Sequence, residues 1–299
     1  MSTVNTTIAA PRFMLVGGGS IAQVAELLGK FGLSRPLVVT DRVMVGTGLI
    51  DRCLAPLIAA GIAYSVFSDT VSDPTDTVIE AGVARIREGD FDCLIGFGGG
   101  SPMDTAKAMA ILAAGGGKMR DYKAPVAADR ADLPIIAIPT TAGTGSECTR
   151  FTVITDTERD EKMLIAGLGA LPLGAIVDHE LTWTVPARTT ADTGVDSLTH
   201  ALEAYVSRRA NPFSDALALA AMELIGKHLR TAYAEPRNAR AREAMMLGAT
   251  QAGLAFSNSS VALVHGMSRP IGAHFHVPHG LSNAMLLPAI TRFGLEAAE

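Results

Sequence analysis

Cys93-Leu94-Ile95-Gly96-Phe97-Gly98-Gly99-Gly100-Ser101-Pro102 is the stretch on which the fold turns. A short apolar run passes into a glycine turn, and Pro102 then opens a helix containing Asp104 and Lys107, which reads as strand, tight turn and helix start. Such a junction presents free backbone N–H groups and a positive dipole end, which suits a pyrophosphate. The plainer reading is a turn that needs glycine for its backbone alone. The strand-like signal recurs at residues 13–16, 37–40, 63–67, 135–138 and 175–177, each separated by helix-length stretches. Runs this short and this apolar predict parallel strands buried on both faces, hence a doubly wound α/β domain.

After about Trp183 the strand-like runs stop, and Ala/Leu/Met-rich stretches at 192–207, 214–233, 238–256 and 280–293 predict a second, all-helical domain. Thr184-Val185-Pro186 reads as the hinge. The expected organisation is therefore a dinucleotide-binding α/β domain over residues 1–184 and a helical, metal-binding domain over residues 185–299.

A chain of 299 residues, 48% of them hydrophobic, can bury a large core. Its net charge of −5, without a long Lys/Arg run, argues against a nucleic-acid partner and leaves a small molecule as the expected one. The three cysteines Cys53, Cys93 and Cys148 form no CxxC and no disulfide framework, which fits a reducing cytoplasm. The Ser/Thr-rich start lacks the basic and apolar regions of a leader. No segment supplies the ~20 uninterrupted apolar residues of a membrane span.

Asp196-Ser197-Leu198-Thr199-His200 lies in a run free of Gly and Pro, so the i, i+4 spacing puts carboxylate and imidazole on one helical face. That spacing suits two ligands of a divalent ion such as Fe²⁺, Zn²⁺ or Mn²⁺, and equally suits an ordinary surface pair. His265 and His279 complete a possible set of one carboxylate and three histidines. Pro278 suits a first helical turn, so His279 is expected at a helix start, while His265 ends the apolar stretch 261–264. His274 and His276, between them, stay open as substitute ligands.

Two further loops compete for the nucleotide. Gly17-Gly18-Gly19-Ser20-Ile21-Ala22 fits the Gly-x-Gly-x-x-Gly/Ala pattern, with Asp41 roughly 20 residues on. A carboxylate at the end of the second strand bonds ribose hydroxyls and repels a 2′-phosphate, which favours NAD over NADP. Pro139-Thr140-Thr141-Ala142-Gly143-Thr144-Gly145-Ser146-Glu147 offers hydroxyls that either line a nucleotide or cap a helix.

Taken in order, four motifs carry a resemblance: residues 98–107 (Gly98-Gly99-Gly100-Ser101-Pro102-Met103-Asp104-Thr105-Ala106-Lys107), residues 139–147, Asp196-Ser197-Leu198-Thr199-His200 and Pro278-His279-Gly280. The chain resembles the iron-dependent (group III) alcohol dehydrogenases over nearly its whole length, and most of all the lactaldehyde reductase and propanediol dehydrogenase type. The resemblance implies a helical domain similar to that of dehydroquinate synthase and Fe²⁺ in the cleft between the domains, with Zn²⁺ the alternative. The implied metal ligands are Asp196, His200, His265 and His279. The implied cofactor residues are Gly98, Gly99, Gly100 and Ser101 at the pyrophosphate, Asp104 in the same motif, Thr140, Thr141 and Thr144 near the nucleotide, Asp41 at the ribose and Lys162. The Gly17 loop is thereby demoted. The implied activity is NAD-linked oxidation of a small alcohol or reduction of its aldehyde, in a homodimer or higher homo-oligomer.

The sequence departs from the family pattern in three places. Arg269 stands where many relatives carry a histidine; a guanidinium cannot act as a base near neutral pH, but it can hold an acidic substrate. Asp73 stands where asparagine is frequent, and relatives continue for several helices beyond Met285-Leu286-Leu287-Pro288, so a truncated chain is expected. The rival readings are a maleylacetate-reductase-like enzyme and a catalytically silent nucleotide- or metal-binding protein.

Overall fold

The computed structural model describes residues 6–275 and 277–295. Its first half holds a six-stranded sheet of β1 (Phe13–Val16), β2 (Pro36–Asp41), β3 (Ser65–Thr70), β4 (Cys93–Gly98), β5 (Ile135–Pro139) and β8 (Gly174–Val177), in the order β1-β8-β5-β4-β2-β3. Every pairing in it is parallel, as the apolar runs predict. Alternate residues feed opposite faces: Leu37 and Val39 pack into one core with Ile79, Val83 and Met109, while Val38, Ile95 and Ile138 pack into the other with Leu27, Leu28 and Leu57. The helices of this half are α1 (Val24–Lys30), α2 (Arg42–Gly46), α3 (Asp51–Ala59), α4 (Asp76–Arg87) and α5 (Gly100–Gly115). Layers on both sides of a parallel sheet define the doubly wound architecture.

One feature of this half lies outside the sequence expectation. An antiparallel hairpin, β6 (Phe151–Asp156) and β7 (Glu161–Ala166), stands apart from the main sheet. Its burial alternates residue by residue, so it lacks the continuous apolar run that marks the parallel strands. Asp160 turns the hairpin with φ of 50°.

The second half is helical: α6 (Ala187–Tyr205), α7 (Pro212–Ala234), α8 (Ala239–Ser257), α9 (Leu263–Phe275) and α10 (His279–Gly294). Its core is small-residue packing, with Ala201, Ala221, Ala249 and Ala252 buried together beside Ala175 and Val177 of β8. Gly194 lets α6 approach α7, since a Cβ there would sit 2.3 Å from Leu229 Cδ1. The helix α9 corrects one expectation: His265 does not close an apolar stretch but lies in the first turn of α9, which runs through Pro270. Gly266, Pro270 and Gly272 hide that helix from a propensity reading.

Candidate active site

Asp196 and His200 project from α6, His265 from the first turn of α9, and His279 from the first position of α10, where Pro278 is the N-cap. One donor atom from each comes together so that all four lie within 4.8 Å of one another. Asp196 Oδ1 is 3.9 Å from His200 Nε2, 3.6 Å from His265 Nε2 and 3.6 Å from His279 Nε2. Asp196 and His200 are 3% and 5% exposed, which removes the surface-pair reading. His279 is the open member, with 40% of its side chain exposed. His274 is exposed in the last turn of α9 and does not join the group, and His276 lies outside the described residues.

The electrostatics suit a cation. Burial alone would push the Asp196 carboxyl up, but the rings of His200, His279 and His265 outweigh it and hold the carboxyl well below the usual range. Burial drives His200 down to about 4, so it is a neutral imidazole with a free lone pair near neutral pH. Burial likewise lowers His279. His265 goes up despite burial, because the carboxylates of Asp196 and Glu203 both lie against its ring. Three imidazoles and one carboxylate, mostly closed to water and all presenting acceptor atoms to one point, fit a divalent transition ion of the Fe²⁺ or Zn²⁺ type.

Two polar residues of this centre were not anticipated from sequence. Glu203 is 2% exposed, and its Oε2 accepts from His265 Nδ1 at 2.6 Å while its Oε1 accepts from the Val264 N–H at 2.5 Å. Asn283 is fully buried, and its Nδ2 donates to Asp196 Oδ1 at 2.6 Å and lies 3.2 Å from both His265 Nε2 and His279 Nε2. Spacing places Glu203 seven residues after Asp196 on one stripe of α6 and Asn283 four after His279 on α10, a signal that marks a shared helix face but no role.

A cleft of about 630 Å³ opens at the carboxyl ends of β2, β3 and β4. Asp41, Arg42, Asp69, Ser72, Gly99, Gly100, Ser101 and Pro102 are among its lining residues, so the glycine turn and Asp41 meet in one place, at the usual ligand position of an open α/β sheet. Gly98 has φ of 146°, and a Cβ on it would sit 2.6 Å from Pro102 Cγ. Gly100 packs against Thr144 and Gly99 against Thr141. Asp41 Oδ1 accepts from the Met44 N–H, which caps α2. Thr140 is buried, with its hydroxyl on Met44 Sδ at 3.7 Å.

Other expected cofactor residues sit differently. Asp104 does not line the cleft: its Oδ1 accepts from Ser146 Oγ and its Oδ2 from the Val153 N–H, so it ties α5 to the 139–147 loop and β6. Lys162 reaches from β7 toward α9, bonding Asp73 Oδ1 at 2.8 Å and lying beside Gly272. Asp73 has φ of 53°, a conformation that Asp and Asn tolerate better than most residues. The Gly17 turn follows the edge strand β1 and is drawn toward β8, where Asp178 Oδ2 accepts from the Ile21 N–H and Gly18 abuts His179.

The 139–147 loop joins the two places. Thr141 and Thr144 pack on the glycine turn, while Ser197 Oγ, next to Asp196, donates to the Gly143 carbonyl at 3.0 Å. Gly143 is pressed against Thr193 of α6, 2.6 Å from a would-be Cβ to Thr193 Cβ.

Residues 11–179 match the iron-containing alcohol dehydrogenases, and residues 190–299 match the C-terminal part of the same family. Among similar proteins, the NAD-dependent methanol dehydrogenase of Bacillus methanolicus is 39% identical over 98% of this chain and 77% of its own. The lactaldehyde reductase of Escherichia coli strain K12 is 37% identical over 94% of this chain and 73% of its own. The crystal structure of a 1,3-propanediol oxidoreductase superposes with a TM-score of 0.95 at 38% identity, covering 98% of this chain and 77% of that one. A sulfoacetaldehyde reductase from Bifidobacterium kashiwanohense, solved in complex with NAD⁺, gives 0.90 at 34% identity, over 97% and 77%. The chain belongs to the iron-containing alcohol dehydrogenase family and is an oxidoreductase.

Proposed function

We propose that this protein interconverts small alcohols and aldehydes with NAD, at an Fe²⁺ or Zn²⁺ ion held by Asp196, His200, His265 and His279. The carrying observation is the meeting of those four donor atoms within 4.8 Å, in a setting that keeps Asp196 charged and His200 neutral. A bound ion supplies Lewis acidity to the oxygen of the reacting carbinol or carbonyl. The chain supplies position. The amides of Gly99, Gly100 and Ser101, at the start of α5, face a pyrophosphate, and Asp41 takes the ribose hydroxyls while repelling a 2′-phosphate. Thr140, Thr141 and Thr144 shape the floor of the nucleotide site, and Lys162 contributes a cation beside α9.

Arg269 follows His265 by one helical turn, half-buried and within charge reach of Glu203 and His279. It has no proton to exchange near neutral pH, so its part is to hold an anionic or strongly polar substrate group. We assign the protein to the cytoplasm, on its three free, buried cysteines, and to a homodimer or higher homo-oligomer, on the exposed apolar side chains Phe275, Met285 and Phe293. No helix among the described residues is long and apolar enough to cross a membrane.

The test is anaerobic elemental analysis together with NADH oxidation against short aldehydes, hydroxyaldehydes and keto acids. Stoichiometric iron or zinc and metal-dependent turnover of at least one aldehyde are expected. Full turnover in chelator-stripped protein would overturn the metal centre.

A further inference from the structure

We propose that Glu203 and Asn283 are positioning residues for the metal centre, forming an outer shell that fixes the direction of two ligands before any ion arrives. The inference rests on the metal-centre reading above. It starts from an asymmetry among the ligands. Among the described residues His200 Nδ1 has no hydrogen-bond partner, and the ring is held by packing, stacked on Phe256 at 4.3 Å. His265 and Asp196 are held by hydrogen bonds instead.

Glu203 sets the tautomer of His265. A proton on Nδ1 is shared with Glu203 Oε2 at 2.6 Å, so the Nε2 lone pair is left facing Asp196 and His279. The carboxylate is itself fixed, because the N–H groups of Val264 and His265 both point at it from the first turn of α9. Its negative charge also raises the basicity of the ring it holds. A buried carboxylate is costly without such partners, and the His265 ring and the Val264 N–H supply them.

Asn283 anchors Asp196 from the inner side of the centre, its NH₂ lying against the converging atoms of Asp196, His265 and His279. Its NH₂ group has two hydrogens and three acceptors around it, and the contact to Asp196 Oδ1, at 2.6 Å, is well inside the 3.2 Å contacts to the two imidazoles. Among the described residues Asn283 Oδ1 has no partner, so the contacts of its nitrogen are what orient the amide. Each of the two sits on a helix that already carries a ligand: Glu203 follows Asp196 and His200 on α6, and Asn283 follows His279 by one turn on α10. Each therefore holds a ligand carried by a different helix, Glu203 of α6 bonding His265 of α9 and Asn283 of α10 bonding Asp196 of α6, so the two bonds tie α6, α9 and α10 together.

The test is an anaerobic Co²⁺ titration of the full chain, read by d–d absorption and by calorimetry, in wild type, Glu203→Gln and Asn283→Ala, with Asn283→Ser as a milder second change. NADH binding and the melting temperature of the metal-free protein are measured in parallel. Each substitution is expected to weaken Co²⁺ binding by about 10- to 100-fold and to shift the absorption bands, with NADH affinity unchanged. Unchanged Co²⁺ affinity in the folded variants would overturn the positioning roles. So would a loss that merely tracks a falling melting temperature and weaker NADH binding. A wild-type chain that binds no divalent ion at all would instead overturn the metal-centre reading itself.

Discussion

Around the cleft at Gly99 to Ser101 the working surface is backbone, partly open to solvent and shaped by what side chains leave out. Around Asp196 it is side chains, buried and shaped by lone pairs that converge from α6, α9 and α10. The contrast teaches how each place can fail. A backbone site fails by the addition of an atom, whereas a side-chain site fails by the removal of one.

His265→Ala should break the comparison most sharply. It removes the imidazole that faces both the Asp196 and the Glu203 carboxylates, and metal content and kcat should fall together, the latter by on the order of a thousandfold, while NADH affinity stays within a few-fold. Metal retention at the wild-type level, by elemental analysis, would show that the remaining ligands suffice.

Gly98→Ala is the converse experiment. The new Cβ must share space with Pro102 Cγ at a φ of 146°, a combination worth roughly 1–3 kcal/mol, so KM for NAD should rise about 10- to 100-fold with metal content intact. Loss of metal in that variant would mean that the two regions do not fail independently.

Asp41→Asn should act more gently. It keeps a side-chain oxygen for the α2 cap but removes the charge on the cleft, and the preference for NAD over NADP should narrow roughly tenfold in kcat/KM. An unaltered preference would remove Asp41 from cofactor discrimination.

The smallest expected effect separates the regions by pH. Burial pushes the Cys53 thiol, in the α/β core, up to about 12 from an ordinary value of 9.0. With the folded pKa raised, its stability contribution is complete below about pH 9 and is lost as pH rises toward about 12, since only the unfolded thiol ionises there. Lys107, pushed down to about 8 by burial, works in the opposite sense between there and 10.5. Thermal melts from pH 8 to 11 should show a shallower alkaline decline in Cys53→Ala than in wild type, with metal affinity alike at pH 7.5. Equal slopes would show that Cys53 does not set the limb.

Much of this was legible in the chain because the relevant signals are local. The four inner strands are buried on both faces and apolar almost throughout, so they announce themselves; the edge strands β1 and β3 do so by shorter apolar runs, and Pro278 announces the helix that carries His279. The hairpin of β6 and β7 was missed because one face of it is wet, and α9 because Gly266, Pro270 and Gly272 disguise a helix stabilised by its packing on α10 and α6. The four candidate ligands were readable by residue type; Glu203 and Asn283 were not, since a glutamate or asparagine on a helix is ordinary until its burial is known. Asp104 misled for the same reason: its place in the motif is visible, but the direction of its carboxylate toward Ser146 and Val153 is not.

The loop from Thr140 to Ser146 gives the molecule something neither ligand site has alone. One end rests on the glycine turn and the other on α6 beside Asp196, so a few peptide units gauge the gap that a hydride has to cross. With Gly143 pressed on Thr193 there is no slack in that gauge. Damage here would leave both ligands bound and simply hold them at the wrong separation, a fault visible to a primary deuterium isotope effect and invisible to any binding curve.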